Sequence, residues 1–484
     1  MVFSSPRFLV FLTVLLLLLW RLRTPARKAA LGAASCLFYA AWDYRYLVLL
    51  LLVSGIDYGC AAAIHRSGVP WRRRAWLAVS VTSNLGILAY FKYYAFFVSN
   101  LNGLGLNLPM LRILLPAGIS FYTFKSMSYT IDVYRGHLAP ASRWLDYATF
   151  VSFFADLIAG PIVRASTFLP QLQRSIGPTR ERLRVGGSWF LVGLTKKSLI
   201  ADRMATVADP VFAAPELYSG GTIWMGVVAY ALQIYCDFSG YSDMAIGTAK
   251  MIGYDLPENF NMPYLSTSLT EFWRRWHMTL STWLRDYLYI PLGGNRHGER
   301  RTYFNLFVTM LLGGLWHGAS WNFVLWGALH GCGLALNRFG SGGRRRTGPL
   351  IGGLATVTFV TLCWVPFRAP SLHSALVMLQ GMAGQGPGVA RWYPMAVLWG
   401  VALVAIGHAL GYAVGRAAPA PEAGQGLRAV LERFGATIDE APLAGRYVRL
   451  GIGNLGGAFL VTFWILGLFF FVSTRTTPFI YFQF

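Results

Sequence analysis

The sequence predicts an all-α, polytopic integral membrane protein, and three observations lead to this prediction. Of the 484 residues, 55% are hydrophobic and only 13% are charged, which argues against a water-soluble protein with a charged shell. Lys and Arg outnumber Asp and Glu by 42 to 20, and they collect in short clusters, as cytoplasmic loops do, instead of forming one basic face for nucleic acid. Apolar segments of roughly 20 residues, the length that a bilayer core requires, recur along the chain.

These apolar segments predict about 11 to 13 transmembrane or re-entrant helices. The first, Phe8 to Trp20, is followed by Arg21 and Arg23 instead of a small-residue cleavage site, so we interpret it as a membrane helix. The segments lie near residues 8–20, 29–64, 76–97, 107–127, 146–163, 186–200, 222–236, 304–335, 350–367, 393–415 and 451–473, and the second and eighth are long enough to be helix pairs.

Two polar stretches, residues 337–349 and 416–449, predict loops, the second with a short amphipathic helix around residues 427–434. No gap between apolar segments approaches the ~100 residues of a soluble unit. We therefore predict a single membrane-embedded domain over residues 1–484, with its catalytic core at about residues 112–335. The five cysteines stand in or beside apolar stretches without a CxxC pair, which favours free buried thiols over disulfides or a metal site.

Basic clusters at Arg72–Arg74, at Arg180–Arg184 with Lys196 and Lys197, and at Arg344–Arg346 predict cytoplasmic loops. Three apolar segments separate the first two clusters, and an odd number of crossings would place these clusters on opposite sides. One of the three segments is therefore predicted to be re-entrant or interfacial, with its backbone buried in protein or lining a wet cavity.

Polar residues concentrate between Tyr235 and Gly331, where a membrane protein uses ionisable groups that it otherwise avoids. Asp237 and Asp243 directly follow an apolar segment, and their spacing places them on different helix faces, so a shared-proton pair is not supported. Two interpretations stay open for them: hydrogen bonding or pairing with a nearby Arg, and lining of a substrate path.

The stretch EFWRRWHMTLSTWL, residues 271–284, predicts one helix with an aromatic face. For its aromatic residues and arginines we favour an amphipathic helix at the membrane interface, with Trp in the headgroup belt and Arg274, Arg275 and Arg285 facing phosphates. His277 differs because it lies on the Trp face, where a desolvated imidazole must have a partner.

His317 lies in the apolar, Gly-rich stretch LLGGLWHGASWNFVLWG, residues 311–327. Its neighbours Gly313, Gly314 and Gly318 serve helix packing or leave room for a thin chain to reach the imidazole, and the sequence leaves both interpretations open. The same holds for His317 itself, which is either a satisfied core residue or a functional base. No GxSxG elbow, phosphate-binding loop, HExxH zinc motif or dinucleotide fingerprint is present, so histidine is the remaining candidate for catalysis.

With these motifs the chain resembles the membrane-bound O-acyltransferase superfamily, and within it the bacterial alginate O-acetyltransferase membrane subunits. The resemblance covers nearly the whole chain and is most specific in WRRWH and LWHG, whose histidines match the family's two signature histidines. It departs at Ala155 and Asp156, where such proteins usually carry Pro and then His or Gln. The matching stretches are MVFSS at the start, LPAGISFYTFKSMSYTIDVYRG (Leu115–Gly136), FFADLIAGPIVR (Phe153–Arg164), ENFNMPYLS (Glu258–Ser266) and FIYFQF at the end.

The resemblance implies helices around a funnel or tunnel with His317 at its floor. It also implies transfer of an acetyl group from a cytoplasmic thioester, acetyl-CoA, to hydroxyls of an exopolysaccharide or to a periplasmic acetylation partner. His317 is expected to act as general base, and His277 to orient the reactants or stabilise the oxyanion. The expected substrate-binding residues are Trp273, Arg274, Trp276, Trp316, Asp237 and Tyr241.

The resemblance implies a protein of the bacterial inner membrane. The sequence indicates no metal or cofactor, and its hydrophobic composition argues against a nucleic-acid partner. Two alternatives stay open. One is transfer of D-alanine or another acyl group to a cell-wall polymer, and the other is a polysaccharide transporter or scaffold without catalysis.

Overall fold

The computed structural model describes residues 2–158, 160–174, 177–342, 348–386, 388–391, 393–413, 436–441, 445–450, 462, 464–467 and 479. This part of the chain is helical except for one antiparallel hairpin of β1 (Ala436–Ala441) and β2 (Gly445–Leu450), in which Ala436 pairs with Leu450. The all-α class predicted from the sequence is therefore confirmed.

The chain divides into two compact units. Unit 1 comprises Met1–Phe190 and Met244–Pro257, and unit 2 comprises Leu191–Asp243 and Glu258–Phe484. Unit 1 contains α1 (Pro6–Arg21), α2 (Thr24–Ala40), α3 (Tyr44–Arg66), α4 (Pro70–Leu88), α5 (Tyr94–Gly103), α6 (Ile119–Tyr134), α7 (Trp144–Ser152), α8 (Ala165–Gln173) and most of α9 (Arg180–Thr195).

Unit 2 begins with the last residues of α9, continues with a π-helical segment, Lys196–Ala201, and contains the candidate site. One of its helices, α11 (Gly220–Ile252), ends in unit 1, which includes its residues from Met244 onward. The other helices of unit 2 are α10 (Asp202–Ala213), α12 (Leu269–Arg275), α13 (Met278–Leu284), α14 (Gly298–His317), α15 (Trp321–Gly342), α16 (Pro349–Arg368), α17 (Leu372–Gln380) and α18 (Pro394–Ala413). The prediction of a single domain over residues 1–484 stays a prediction.

Among the described residues, three helices are long and apolar enough to cross a membrane, namely α3, α16 and α18. On α18, large apolar side chains such as Leu398, Trp399 and Ile406 are more than half exposed, and α1 exposes Val10 and Leu17 in the same way. Contiguous exposed apolar surface of this kind is unfavourable in water and favourable against lipid chains. The predicted number of 11 to 13 membrane elements and the central funnel stay predictions.

The helices follow most of the predicted apolar segments. Segments 29–64 and 304–335 are helix pairs, α2 with α3 and α14 with α15. The predicted start of the segment 107–127 is wrong, because α6 begins only at Ile119, after Pro116 and Gly118. Gly118 has φ +73° and leaves no space for a Cβ beside the carbonyl oxygen of Leu157, so this position requires glycine. The predicted loop 337–349 is shorter than expected because α15 continues to Gly342.

Other predicted elements fall outside the described residues. The amphipathic helix predicted around residues 427–434 lies entirely outside them, and so does most of the apolar segment 451–473.

The segment 146–163 has the form that a re-entrant element requires. Its helix, α7, has nine residues, which span only ~13 Å against the ~30 Å of a bilayer core. The chain then continues without helix through Phe153, Phe154 and Leu157, all of which are buried. A non-helical backbone at such a position is stable only inside protein. This segment is therefore the one that best accounts for the odd count of crossings, and its membrane topology stays a prediction.

The core of unit 1 surrounds α6, whose residues from Ile119 to Thr130 are all buried. Lys125 on this helix forms a buried ion pair with Asp156, with 2.8 Å between Nζ and Oδ1. Asp156 is the residue at which the chain departs from the family pattern, and the structure gives it a structural partner. Nearby on α3, Asp57 accepts hydrogen bonds from Ser80 (2.6 Å) and Asn84 (2.9 Å).

Candidate active site

His277 lies at a break between two short helices of unit 2. The sequence predicts one continuous helix here, and that prediction is wrong: α12 ends at Arg275, α13 begins at Met278, and His277 has φ +42° and ψ +53°. The preceding segment 259–261 holds the break open with two backbone hydrogen bonds. Asn261 N–H donates to the carbonyl of Arg275, and Met278 N–H donates to the carbonyl of Asn259, each at 2.9 Å. These tertiary hydrogen bonds replace the local helical ones and offset the cost of a left-handed histidine.

The side chain of Asn259 fixes the tautomer of His277. The Asn259 Oδ1 atom accepts the backbone N–H and the hydroxyl of Thr279, at 3.3 and 2.9 Å, so it is the amide oxygen. His277 Nδ1 lies 3.0 Å from the same oxygen and must therefore donate its proton. The Nε2 atom of the neutral ring consequently carries a lone pair, and among the described residues it has no hydrogen-bond partner. Burial lowers the pKa of His277 to about 3, so the ring stays neutral at physiological pH.

His317 is the last residue of α14 and lies beside the same indole as His277. The ring of Trp316 is 6.2 Å from His277 and 5.1 Å from His317, centroid to centroid. Trp326 and Phe367 contact His317 from other directions, at 5.1 and 5.3 Å. The structure therefore brings both signature histidines around Trp316, although 40 positions separate them in the sequence.

The tryptophans near His277 are core residues. Trp276 and Trp283 are only 3% and 5% exposed, so the predicted place in a headgroup belt is wrong for both. Trp276 packs against Trp364 of α16 at 5.0 Å and forms an edge contact with Phe260 at 5.0 Å. α12 has only seven residues, and α15 and α16 cover its aromatic face, so this face is not available to the membrane.

The other predicted binding residues occupy three environments. Trp273 and Arg274 line a pocket of about 560 Å³ beside α12. Asp237 forms a buried ion pair with Lys197, with 2.7 Å between Oδ1 and Nζ. Tyr241, one turn further along α11, packs on the ring of Phe479 at 4.0 Å. Their roles in substrate binding stay predictions.

Asp243, the second carboxylate of this stretch, pairs with Lys196 at 2.7 Å. The partners of both carboxylates are thus lysines of the π-helical segment Lys196–Ala201, where the sequence suggested an arginine.

Neighbouring atoms occupy the space beside the glycines around His317. A Cβ on Gly314 would lie 2.2 Å from the carbonyl oxygen of Phe323, and one on Gly318 would lie 2.0 Å from the ring of Phe323. From the other side, a Cβ on Gly327 would lie 2.5 Å from the carbonyl oxygen of Met310. Gly314 and Gly327 therefore let α14 and α15 approach backbone to backbone, and the other interpretation, room for a thin chain beside His317, stays a prediction.

Sequence reasoning missed His330, which is fully buried on α15. Trp273 Nε1–H donates to His330 Nδ1 at 3.3 Å, so the proton of the neutral His330 ring is on Nε2, opposite to His277. His330 also packs on Trp326, at 4.7 Å, on which His317 packs in turn. His330 lies 13 residues after His317, and no helical spacing relates the two histidines. Its place beside the site becomes visible only through its tertiary contact with Trp273.

Comparisons with known proteins show the family to which this chain belongs. A sequence model of the family "MBOAT, membrane-bound O-acyltransferase family" matches residues 78–350, which include both signature histidines. The chain is 45% identical over 394 residues to "Probable alginate O-acetylase AlgI" of Pseudomonas aeruginosa, covering 80% of this chain and 75% of that protein. It is 40% identical over 388 residues to "Peptidoglycan O-acetyltransferase" of Helicobacter pylori, covering 74% of each chain.

A more distant similarity concerns a different acyl group. "Teichoic acid D-alanyltransferase" of Streptococcus thermophilus is 32% identical over 235 residues, which are 46% of this chain and 56% of that protein. All three relatives transfer acyl groups, as their names state. The family model covers more than half of this chain, and two of these relatives match about three quarters of it or more. The chain therefore belongs to the membrane-bound O-acyltransferase family and is a membrane O-acyltransferase.

Proposed function

We propose that this enzyme transfers an acetyl group from acetyl-CoA in the cytoplasm to hydroxyl groups of an exopolysaccharide, directly or through a periplasmic acetylation protein. The acceptor class is supported by relatives named for alginate and peptidoglycan, which are both polysaccharides. In this proposal the chain is a multi-pass protein of the bacterial inner membrane. Its partners are the acetyl donor, the polysaccharide-modification proteins, the polymer and the bilayer, and the reaction uses no metal or cofactor.

His317 acts as the general base. The acceptor hydroxyl oxygen attacks the thioester carbonyl while its proton passes to the imidazole of His317. The C–S bond of the tetrahedral intermediate then breaks, and the thiolate takes up the proton, so that an ester and a free thiol leave the site. Imidazole suits this exchange because its ordinary pKa is near neutrality, and general base catalysis contributes ~10²- to 10⁴-fold in rate.

His277 orients a reactant. Its Nδ1 proton is engaged by Asn259, so in the neutral ring Nε2 accepts a hydrogen bond and cannot donate one to an oxyanion. A pKa of about 3 also makes His277 a weak base at physiological pH. Of the two roles that the sequence left open for His277, this hydrogen-bond pattern supports orientation by acceptance of an O–H or N–H group.

The observation that carries the proposal is the placement of His277 and His317 around Trp316, with His277 locked by Asn259. The experiment compares four variants, with alanine or glutamine at His277 or at His317, at matched membrane levels. The quantity measured is the acetate on the polysaccharide. His317→Ala and His317→Gln are both expected to lose activity by ~10²- to 10⁴-fold, because an amide cannot take up the proton. His277→Gln should retain more activity than His277→Ala, since the amide oxygen can accept a hydrogen bond.

The outcome of the same comparison can contradict the assignment. Retained acetylation in His317→Ala would remove the base from the mechanism. Equal loss in both His277 variants would mean that Nε2 does more than accept a hydrogen bond.

D-Alanyl transfer is the second candidate, supported by the similarity to teichoic acid D-alanyltransferase. That match covers 46% of this chain, against 80% for the alginate O-acetylase, so acetyl transfer is favoured. Membranes supplied with labelled acetyl-CoA or with labelled D-alanyl carrier protein separate the two, because only the true donor labels the polymer.

A further inference from the structure

A large pocket of unit 2, called here the His408 pocket, lies between α11, α16 and α18. It has a volume of about 870 Å³, which is within the range of small-molecule sites, and most of its lining side chains are apolar. Two of the helices around it, α16 and α18, are long and apolar enough to cross a membrane. Neither His277 nor His317 is among its described lining residues, so the pocket is separate from the acyl-transfer site.

His408 has a hydrogen-bonding atom that no other described residue uses. This residue of α18 is 4% exposed, and its Nδ1 lies 2.9 Å from the backbone carbonyl oxygen of Val404, which can only accept a hydrogen bond. Nδ1 therefore carries the proton, and in the neutral ring Nε2 carries a lone pair. Nε2 is buried and has no hydrogen-bond partner among the described residues. A buried acceptor of this kind is unfavourable unless a ligand donates to it.

The His408 pocket holds one positive and one negative charge. Among its described lining residues only Glu271 and Arg275 are charged, and they form an ion pair of 2.8 Å. Although burial raises the pKa of Glu271, hydrogen bonds from Thr267 and Arg275 lower it overall, so the carboxylate is ionised. The pocket therefore offers a carboxylate, a guanidinium and the neutral acceptor of His408, a set that suits a zwitterion with hydrogen-bond donors.

This balance of charge separates the His408 pocket from the smaller pocket on the other face of α12. The smaller pocket, of about 560 Å³, is lined by Arg274, Arg285 and Arg338 and by no Asp or Glu that the structure describes. The charges of the His408 pocket cancel, so they do not favour an anionic ligand.

His408 and the ion pair lie at the same end of the pocket. Gly411, three positions after His408 on α18, packs against the side chain of Met262. The next residue towards the N-terminus, Asn261, is hydrogen-bonded to Arg275: Asn261 N–H donates to the Arg275 carbonyl at 2.9 Å, and the Arg275 guanidinium donates to the Asn261 carbonyl at 3.4 Å. The groups that can recognise a headgroup are therefore gathered in one place.

This polar end corresponds to the cytoplasmic side of the membrane. The start of α16 is near it, because a Cβ on Gly353 would lie 3.9 Å from the carbonyl oxygen of Ser266. α16 begins three positions after the Arg344–Arg346 cluster, which the positive-inside rule assigns to the cytoplasm. From Tyr412 back to Val401, the lining residues of α18 extend over ~16 Å, about half of the ~30 Å of a bilayer core. The pocket thus has the length of one leaflet.

The wall of the pocket on α18 is open towards the bilayer. Ala405 and Ala409 line the pocket and are exposed, and Ile406 between them is 56% exposed. Exposed apolar surface of this kind is favourable against lipid chains. A lipid can therefore enter the pocket from the side.

Phosphatidylethanolamine matches these groups better than the other common glycerophospholipids. Its ammonium group has N–H donors for His408 Nε2 and for the carboxylate of Glu271, and its phosphate can accept from Arg275. Phosphatidylcholine has no N–H donor for the histidine. Phosphatidylglycerol has no positive charge to place beside Glu271.

We infer that the His408 pocket binds one phosphatidylethanolamine molecule of the cytoplasmic leaflet, with its headgroup at His408 and the Glu271–Arg275 pair and one acyl chain along α18 toward Val401. This lipid site goes beyond the proposed acetyl transfer and does not depend on which acyl group is transferred.

The lipid also stabilises the aromatic core behind His277. The ring of His408 packs on Tyr235 at 5.2 Å, and Tyr235 packs on Trp276 at 6.3 Å, centroid to centroid. Trp276 directly precedes His277 in the chain. Acetylation is therefore expected to be faster in membranes that contain phosphatidylethanolamine than in pure phosphatidylcholine.

The test measures which lipid the purified protein retains. The full chain is purified into nanodiscs made of equal parts of phosphatidylcholine, phosphatidylethanolamine and phosphatidylglycerol and is then transferred to a mild detergent. The lipids that stay bound are quantified by mass spectrometry. Phosphatidylethanolamine should be enriched roughly tenfold over phosphatidylcholine, the usual effect of one charge-assisted hydrogen bond.

Two variants locate the bound lipid. His408→Leu removes the acceptor and should reduce the enrichment of phosphatidylethanolamine by roughly tenfold. Ala405→Trp fills the pocket from an exposed lining position and should abolish the enrichment as well. Ile406→Trp is the matched control, because Ile406 is exposed on the same helix and does not line the pocket, and it should retain lipid as the wild type does.

Three results would overturn the inference. One is equal retention of phosphatidylethanolamine and phosphatidylcholine by the wild type. Another is enrichment that persists in both His408→Leu and Ala405→Trp, which would place the lipid elsewhere. The third is stronger retention of phosphatidylglycerol than of phosphatidylethanolamine, because the ion pair would then not select the headgroup. The comparison of lipids in the wild type needs no substitution, so it decides the question even if a variant fails to fold.

Discussion

Replacement of Asn259 by alanine removes the acceptor that fixes His277, and it tests the reasoning about this site most directly. The Asn259 oxygen accepts from His277 Nδ1, from the Thr279 hydroxyl and from the Thr279 backbone N–H, and the Asn259 amide donates to Ser242. All of these groups are buried or nearly so. The backbone hydrogen bonds of Asn259 remain in the variant, so the effect comes from the side chain.

The expected magnitude follows from the donors left without an acceptor. A buried donor that loses its acceptor costs about 1–3 kcal/mol. With the His277 and Thr279 donors affected together, and some relaxation of the site, Asn259→Ala should lower the free energy of unfolding by about 3–5 kcal/mol. Activity should fall further than stability explains, because the His277 ring can then rotate and change tautomer.

Asn259→Asp provides a contrasting variant. A carboxylate keeps the acceptor, but it loses the donor to Ser242 and adds a buried negative charge, so this variant should also be less stable than the wild type. The negative charge beside the imidazole should also raise the pKa of His277 from its value of about 3. The pH profile of acetylation should therefore differ in shape between Asn259→Asp and the wild type.

The assay is thermal unfolding of the solubilised protein, followed by tryptophan fluorescence, with acetylation measured at matched membrane levels. Asn261→Ala is the control, because Asn261 lies on the same segment and contributes its backbone to the break beside His277. The reasoning is refuted if Asn259→Ala unfolds at the wild-type temperature and keeps wild-type activity, since the tautomer of His277 would then not depend on this side chain.

Three further predictions concern packing and pH. Asp156→Asn should lower the stability of unit 1 by about 3–5 kcal/mol, because it leaves Lys125 charged and buried. The double variant with Lys125→Met should recover much of this loss. Thermal melts of the single and the double variant test both expectations. Gly314→Val should separate α14 from α15 and reduce the amount of folded protein in the membrane, whereas Gly187→Val, at a site with nothing within 4 Å of a Cβ, should not. For pH, the folded pKa of His277 is about 3 against ~6.5 unfolded, so its contribution to stability is complete above pH ~6.5 and is lost as the pH falls toward 3. The melting temperature should accordingly decrease less between pH 7 and 4.5 in His277→Gln than in the wild type, and an identical decrease would contradict the assignment.

The placement of the carboxylates shows the limit of sequence reasoning. Asp237 and Asp243 both lie on α11, and their placement on different faces of that helix stays a prediction from helical periodicity, which is a local property. Their partners Lys197 and Lys196 lie 40 and 47 positions earlier, and no spacing rule connects them. The same holds for Lys125 and Asp156, which lie 31 positions apart and form a buried ion pair.

The sequence by itself determined the helical membrane class, most helix positions and the two signature histidines. These depend on hydropathy and on short motifs, which are properties of neighbouring residues. Only the tertiary structure decided that the helix breaks at His277, since the hydrogen bonds that replace the helical ones come from residues 259 and 261. It also decided the proton position on His277 and the meeting of Arg274, Arg285 and Arg338 around one pocket. Hydrogen bonds and pockets join residues that are distant in the chain, and their geometry exists only after α12, α13, α14 and α15 have packed together.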